Sequence, residues 1–135
     1  MVNPLNILLV EDDEDDVDFL QEALREYGVH FTMNVLDQGD QALSYLETID
    51  ILPDVVVLDL NLPRMHGTEI LSLIKRSPQF KHLPVVILTT TSAVEEMNFC
   101  KRAGAHSFLT KPISMRGFKV ITETIVLAAT EGLIG

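Results

Sequence analysis

Short apolar runs alternate with longer mixed segments along the chain. The runs LNILLV (5–10), FTMNVL (31–36), DVVVLD (54–59), PVVILT (84–89) and HSFLT (106–110) have the length and the β-branched or aromatic content of strands. Those at 5–10, 54–59 and 84–89 lack polar alternation, which predicts central parallel strands covered on both faces. Residues 14–27, 38–48, 66–76, 93–103 and 115–130 read as helices. Gly28 and Gly104 fall where helix C-caps belong, and Ser92 where an N-cap belongs. Five strand–helix repeats in this length predict a doubly wound α/β fold with a parallel sheet.

At 135 residues the chain fits one domain, 1–135, with a substantial core and no linker. No apolar run approaches the roughly 18 residues of a membrane span, and the N-terminus lacks signal-peptide regions, so a cytoplasmic protein is expected. The lone Cys100 cannot form an internal disulfide and is expected to act as a buried small hydrophobe. A formal charge of −10, with only ten Lys and Arg scattered along the chain, argues against direct nucleic-acid binding. Output through another protein is the expectation.

In a doubly wound sheet, ligands bind beyond the carboxyl ends of the strands where strand order reverses. The first strand ends in Glu11, Asp12 and Asp13; the third ends at Asp59; the fourth ends in Thr89, Thr90 and Thr91; the fifth ends in Lys111 and Pro112. Each piece has a plain structural explanation. Asp13 to Asp16 suit a helix N-cap and first turn, where carboxylates complement the helix dipole. An EF-hand is excluded, because counting from Asp12 the required glycine is Val17 and the closing glutamate is Ala23. Together, however, the four strand ends carry complementary roles. Clustered carboxylates repel one another unless a hard cation neutralises them. Mg2+ (or Mn2+) suits such a set and leaves coordination sites for a phosphoryl group. An aspartate beside it can act as a nucleophile, while a lysine and a threonine stabilise the added oxygens.

The motifs ILLVEDD, VVLDLNLPRMHG, VVILTT and AGAHSFLTKP, in that order, resemble the receiver domains of two-component response regulators over essentially the whole chain. The resemblance implies a flavodoxin-like (βα)5 fold with strand order 2-1-3-4-5. It implies that Asp59 is the phosphoacceptor, that Asp12 and Asp59 ligate Mg2+ directly, that Glu11 acts through water and that Asn61 offers its backbone carbonyl. Thr89 would bond the phosphoryl oxygen, Lys111 would pair with it, and the Lys111–Pro112 bond would be cis. Phe108 matches the aromatic switch position, although a strand phenylalanine is otherwise simply core. Asn61 and Thr91 match positions that tune phosphoryl lifetime, and Thr90 stands where the family often has alanine, narrowing access. His66 and His82 read as surface or helix-start residues, since neither has a paired ligand at useful spacing.

In the last helix, Phe118, Ile121, Thr122, Ile125 and Ala129 recur at sheet-facing spacing, whereas Val120, Leu127 and Ala128 lie off that stripe, with Leu133 and Ile134 beyond. A second apolar face packs either on its own tail or on a partner. A homodimer through the fourth helix, fifth strand and fifth helix, including Phe108, is the reading adopted here. No output domain is expected after residue 135. The resemblance implies a single-domain regulator taking its phosphoryl group from a sensor histidine kinase; the EDDEDDVDFLQEALRE segment and the stretch from Ser77 to Pro84 look similar to partners of phytochrome-type kinases. Two alternatives stay open. An aspartate-nucleophile phosphatase normally wants an acid two residues on, where Asn61 stands. A phosphorylation-independent binding module would not use the intact site.

Overall fold

The computed structural model describes residues 4–134, without the side chains of Met115 and residues 132–134. Five strands, β1 (Leu5–Val10), β2 (Phe31–Leu36), β3 (Val55–Leu58), β4 (Val85–Thr89) and β5 (Ser107–Thr110), alternate with five helices, α1 (Glu14–Tyr27), α2 (Ala42–Thr48), α3 (Gly67–Arg76), α4 (Val94–Ala103) and α5 (Met115–Ile134). All neighbouring strands pair in parallel, in the order β2-β1-β3-β4-β5. Strand order reverses between β1 and β3, so the expected fold is present, with the reversal at which such sheets bind ligands.

The unalternating strands are apolar because each face has its own helical cover. Leu8, Val10, Val56, Leu58, Val85 and Ile87 pack toward α2, α3 and α4; Ile7, Leu9, Val55, Val57, Val86 and Leu88 pack toward α1 and α5. A period of two along a strand thus feeds two cores at once. Cys100 belongs to the first core, and burial pushes its thiol up to about 11, with Glu96 adding to the shift.

Element ends follow local chemistry. Asp13 caps α1, its Oδ1 accepting the Asp15 and Asp16 N–H groups at 2.9 and 3.2 Å. Gly28 (φ 91°) and Gly104 (φ 105°) terminate α1 and α4 in the left-handed region. His66 caps α3 by accepting the Thr68 N–H at 3.2 Å, in keeping with a helix-start role, and His82 is exposed.

Four expectations need correction. The residue capping α4 is Ala93, not Ser92; the side chain serving that entry is Thr91, whose Oγ1 accepts the Ala93 N–H at 3.3 Å. The second helical segment opens with a 3-10 turn, Gly39–Gln41. No cis peptide bond occurs among the described residues, so Lys111–Pro112 is trans, the isomer an X–Pro bond favours by about 0.5–1 kcal/mol. Ala128 is fully buried with Phe118, Ile121, Thr122, Ile125 and Ala129, because α5 packs on α1 as well as on the sheet and its buried stripe is correspondingly wide. Val120 and Leu127 are exposed as expected, at 61% and 57%, while the Leu133 and Ile134 side chains lie outside the described residues. No described helix is long and apolar enough to cross a membrane.

Candidate functional site

Three ladder extensions carry the candidate residues to one edge. Beyond the ends of β1 and β3, Glu11 N–H donates to Leu36 O at 2.9 Å and Asp59 N–H to Val10 O at 3.1 Å; beyond the end of β5, Lys111 N–H donates to Thr89 O at 2.7 Å. The backbone of each is therefore fixed before its side chain is considered. Carboxylate oxygens of Glu11, Asp12 and Asp59 lie within 4.8 Å of one another, with Glu11 and Asp59 buried and Asp12 exposed.

Lys111 enters this cluster as its cation. Its Nζ lies 2.6 Å from Glu11 Oε1, 2.8 Å from Asp16 Oδ2 and 3.0 Å from Asp59 Oδ2. Three N–H groups meet three carboxylates, which exhausts the ammonium's donors. Burying an isolated carboxylate costs several kcal/mol, and the pairing is what makes Asp59 tolerable at the end of a fully buried strand.

Protonation tendencies follow the geometry. Burial pushes Glu11 up to about 7, with repulsion from Asp59 adding to the effect and Lys111 opposing it. Burial also acts on Asp59, but the Lys111 hydrogen bond and charge, with the Asn61 N–H at 3.3 Å, outweigh it and hold this carboxyl below its ordinary value. Burial would lower Lys111, yet its contacts with Asp16, Glu11 and Asp59 keep it firmly cationic. The Lys111 contact thus favours the ionised form of Asp59, the form a nucleophile requires.

Thr89 is fully buried, and its Oγ1 has no hydrogen-bond partner among the described residues. Thr90 and Asn61 are exposed at the rim, and Thr91 is half-buried. Phe108 pairs in register with Ile87 and is half-buried against the core beneath α4.

Two residues that matter here were not singled out from sequence. Asp16 looked like one more first-turn acid, and only its one-turn offset from Asp12, on the helix face turned to the sheet edge, could have marked it. Gly67 starts α3, and its N–H donates to Leu60 O at 2.8 Å. A Cβ there would strike Asp59 O and come within 2.6 Å of Leu60 Cα. The helix can therefore begin directly beneath the Asp59 backbone only with glycine. The PRMHG stretch offered that signal.

Residues 7–123 match the response regulator receiver domain family. The chain belongs to that family. Rcp1 of Synechocystis sp. is 32% identical over 139 residues, covering 93% of this chain and 95% of Rcp1; its Mn2+-bound structure superimposes with a TM-score of 0.81 at 31% identity over 90% of this chain and 91% of that one. The phosphorylated cyanobacterial phytochrome response regulator RcpA has a TM-score of 0.84 at 30% identity, covering 91% of both chains. The probable methanogenesis regulatory protein FilR2 of Methanothrix harundinacea is 35% identical over 127 residues, covering 91% of this chain and 82% of FilR2. Receiver domains are signalling phosphoacceptors that work with histidine kinases, and the acidic cluster of this one is suited to a divalent metal.

Proposed function

We propose that the protein is a single-domain response regulator that accepts a phosphoryl group on Asp59 from a sensor histidine kinase. The observation that carries this reading is the ionised, buried Asp59 carboxylate held 3.0 Å from Lys111 Nζ within a cluster of acidic oxygens at the strand-order reversal. Asp59 attacks the phosphorus of the phosphohistidine; the new bond is P–O, the broken one is P–N, and the imidazole nitrogen leaves with the electron pair. Lys111 neutralises charge on the transferred oxygens, and the unpartnered Thr89 hydroxyl supplies a donor to them.

The donor set fits Mg2+ or Mn2+, since all the ligand atoms are hard oxygens and the cluster exceeds the charge of the one lysine present. Asp12 and Asp59 would hold the ion directly, Glu11 through water, and Asn61 by its carbonyl. When bound, it would screen charge on the entering phosphoryl group.

Phosphorylation adds roughly two negative charges. Recruiting Thr89 to them leaves room for Phe108 and changes the face made by α4, β5 and α5, while Asn61, Thr90 and Thr91 set the phosphoryl lifetime. Val94 of α4, Val120 and Leu127 of α5 and Ile113 in the turn before α5 are exposed apolar residues, which favours a homodimer. The likeness to RcpA favours a phytochrome-type kinase as donor, and a cytoplasmic location goes with that reading.

The test is intact mass after incubation with a small acyl phosphate and Mg2+. The parent gains one phosphoryl group, and Asp59→Asn or omission of metal abolishes the gain. A folded parent that binds Mg2+ but gains nothing from either the acyl phosphate or a histidine kinase would overturn the reading.

A further inference from the structure

Lys111 and Asp59 sit on strand ends, whereas the third carboxylate on Lys111 comes from a helix. Asp16 lies in the first turn of α1, where its backbone N–H is fixed by the Asp13 cap at 3.2 Å. Its Oδ2 accepts from Lys111 Nζ at 2.8 Å, between the Glu11 and Asp59 contacts in length, and its side chain is 23% exposed where Glu11 is 3%. Asp16 is outside the group of carboxylates placed to share a metal, which comprises Glu11, Asp12 and Asp59.

That separation has a chemical consequence. During phosphoryl transfer an Asp59 oxygen becomes the bridging oxygen of an acyl phosphate, and Glu11 would turn toward the waters of a bound metal. Two of the three acceptors that orient Lys111 therefore change during the reaction, and Asp16 alone does not. A lysine side chain has about 2 kcal/mol of rotamer entropy to lose when it is fixed, so an ammonium without a standing acceptor would sample positions away from the phosphoryl oxygens.

We propose that Asp16 is the positioning residue for Lys111, a fixed anchor on α1 that keeps the ammonium aimed at the phosphoryl group before and after transfer. The assignment rests on Asp59 being the phosphoacceptor. It also makes α1 part of the reaction geometry, so that a kinase gripping this helix would act on Lys111 through Asp16.

The experiment measures phosphorylation of the full chain by a small acyl phosphate at saturating Mg2+, together with Mg2+ binding by calorimetry. Asp16→Ala is expected to lower the saturated rate constant about 5-fold or more, because misplacing a reacting group by even an ångström is costly. Its Mg2+ dissociation constant should stay within about twofold of the parent's, since no ligand is lost. Asp16→Asn, which still offers Lys111 an oxygen, should recover most of the rate. A parent-like rate in Asp16→Ala, or a loss that Asp16→Asn does not repair, overturns the anchor. A loss matched by weaker Mg2+ binding also overturns it, by showing Asp16 to act on the metal instead. Failure of the parent itself to gain a phosphoryl group overturns the phosphoacceptor reading, and this assignment with it.

Discussion

Lys111 Nζ and Asp59 Oδ2 meet at 3.0 Å although β5 and β3 are separated in the sheet by β4. The contact spans β4, whose last residue, Thr89, is fully buried. Removing the cation strands Glu11 and Asp59 in a buried setting, a change that costs roughly 3–5 kcal/mol for comparable buried pairs. Lys111→Met, which keeps much of the stem's volume, should therefore lower the metal-free urea midpoint markedly. Added Mg2+ should restore much of the loss by supplying the missing positive charge. An unchanged metal-free midpoint would show that the lysine does not neutralise the cluster.

Metal binding should be visible without any phosphoryl donor. A ligand that binds only the folded state at 100 times its dissociation constant adds about 2.7 kcal/mol of stability. Thermal unfolding of the parent should shift upward with Mg2+ and with Mn2+, whereas Asp12→Ala should respond weakly or not at all. A full shift in Asp12→Ala would place the ion elsewhere.

The layers were legible because parallel β-strands under two helical layers have to be apolar on both faces, which Val55–Leu58 and Val85–Thr89 announce, whereas the strand order was implied only by the resemblance to receiver domains. The site was legible because its main members stand at strand ends, whose position the topology dictates. What escaped detection depends on three-dimensional approach. Asp16 is one acid among several in its helical turn, and only the arrival of Lys111 from β5 distinguishes it. Ala128 counted as off the buried stripe until α1, packed along α5, supplied a second wall for it. Ser92 has the right chemistry for a cap but stands one residue early, since the chain leaves β4 through a turn fixed by Thr91.

Gly67 lies under the Asp59 backbone with no space for a side-chain carbon. Because the atoms it would strike are backbone atoms, they cannot move aside as a flexible side chain would. Gly67→Ala should destabilise the fold by at least the 1–3 kcal/mol typical of overpacking, and should slow acyl-phosphate labelling of Asp59 by shifting its carbonyl. Parent-like unfolding and labelling together would mean that α3 can slide without disturbing β3.

Cys100 gives a pH dependence independent of the site. Its folded thiol is pushed from 9.0 to about 11, so between those values the unfolded chain gives up the proton first. The folded state then binds more protons than the unfolded one, and stability falls as pH rises through this window. Cys100→Ala should flatten that part of the stability profile. At pH 8 the native thiol should react with a disulfide reagent at least about 100-fold more slowly than in urea, the thiolate deficit implied by the shift. Equal rates would place Cys100 at the surface.

Thr89 allows stability to be tested apart from the proposed switching. A buried hydroxyl without a partner costs about 1–3 kcal/mol in desolvation, and replacing it by an apolar group of the same shape removes that cost. Thr89→Val should therefore leave the unphosphorylated protein as stable as the parent or more so. The same substitution should uncouple phosphorylation from the α4, β5 and α5 face, because the phosphoryl oxygen would have no hydroxyl to draw inward. Phosphorylation-dependent self-association, measured by sedimentation, should be present in the parent and lost in Thr89→Val even where mass spectrometry shows equal phosphoryl occupancy. A destabilised Thr89→Val would mean that the hydroxyl already has a partner in the resting state. Retained phosphorylation-dependent association would assign the switch to Lys111 alone.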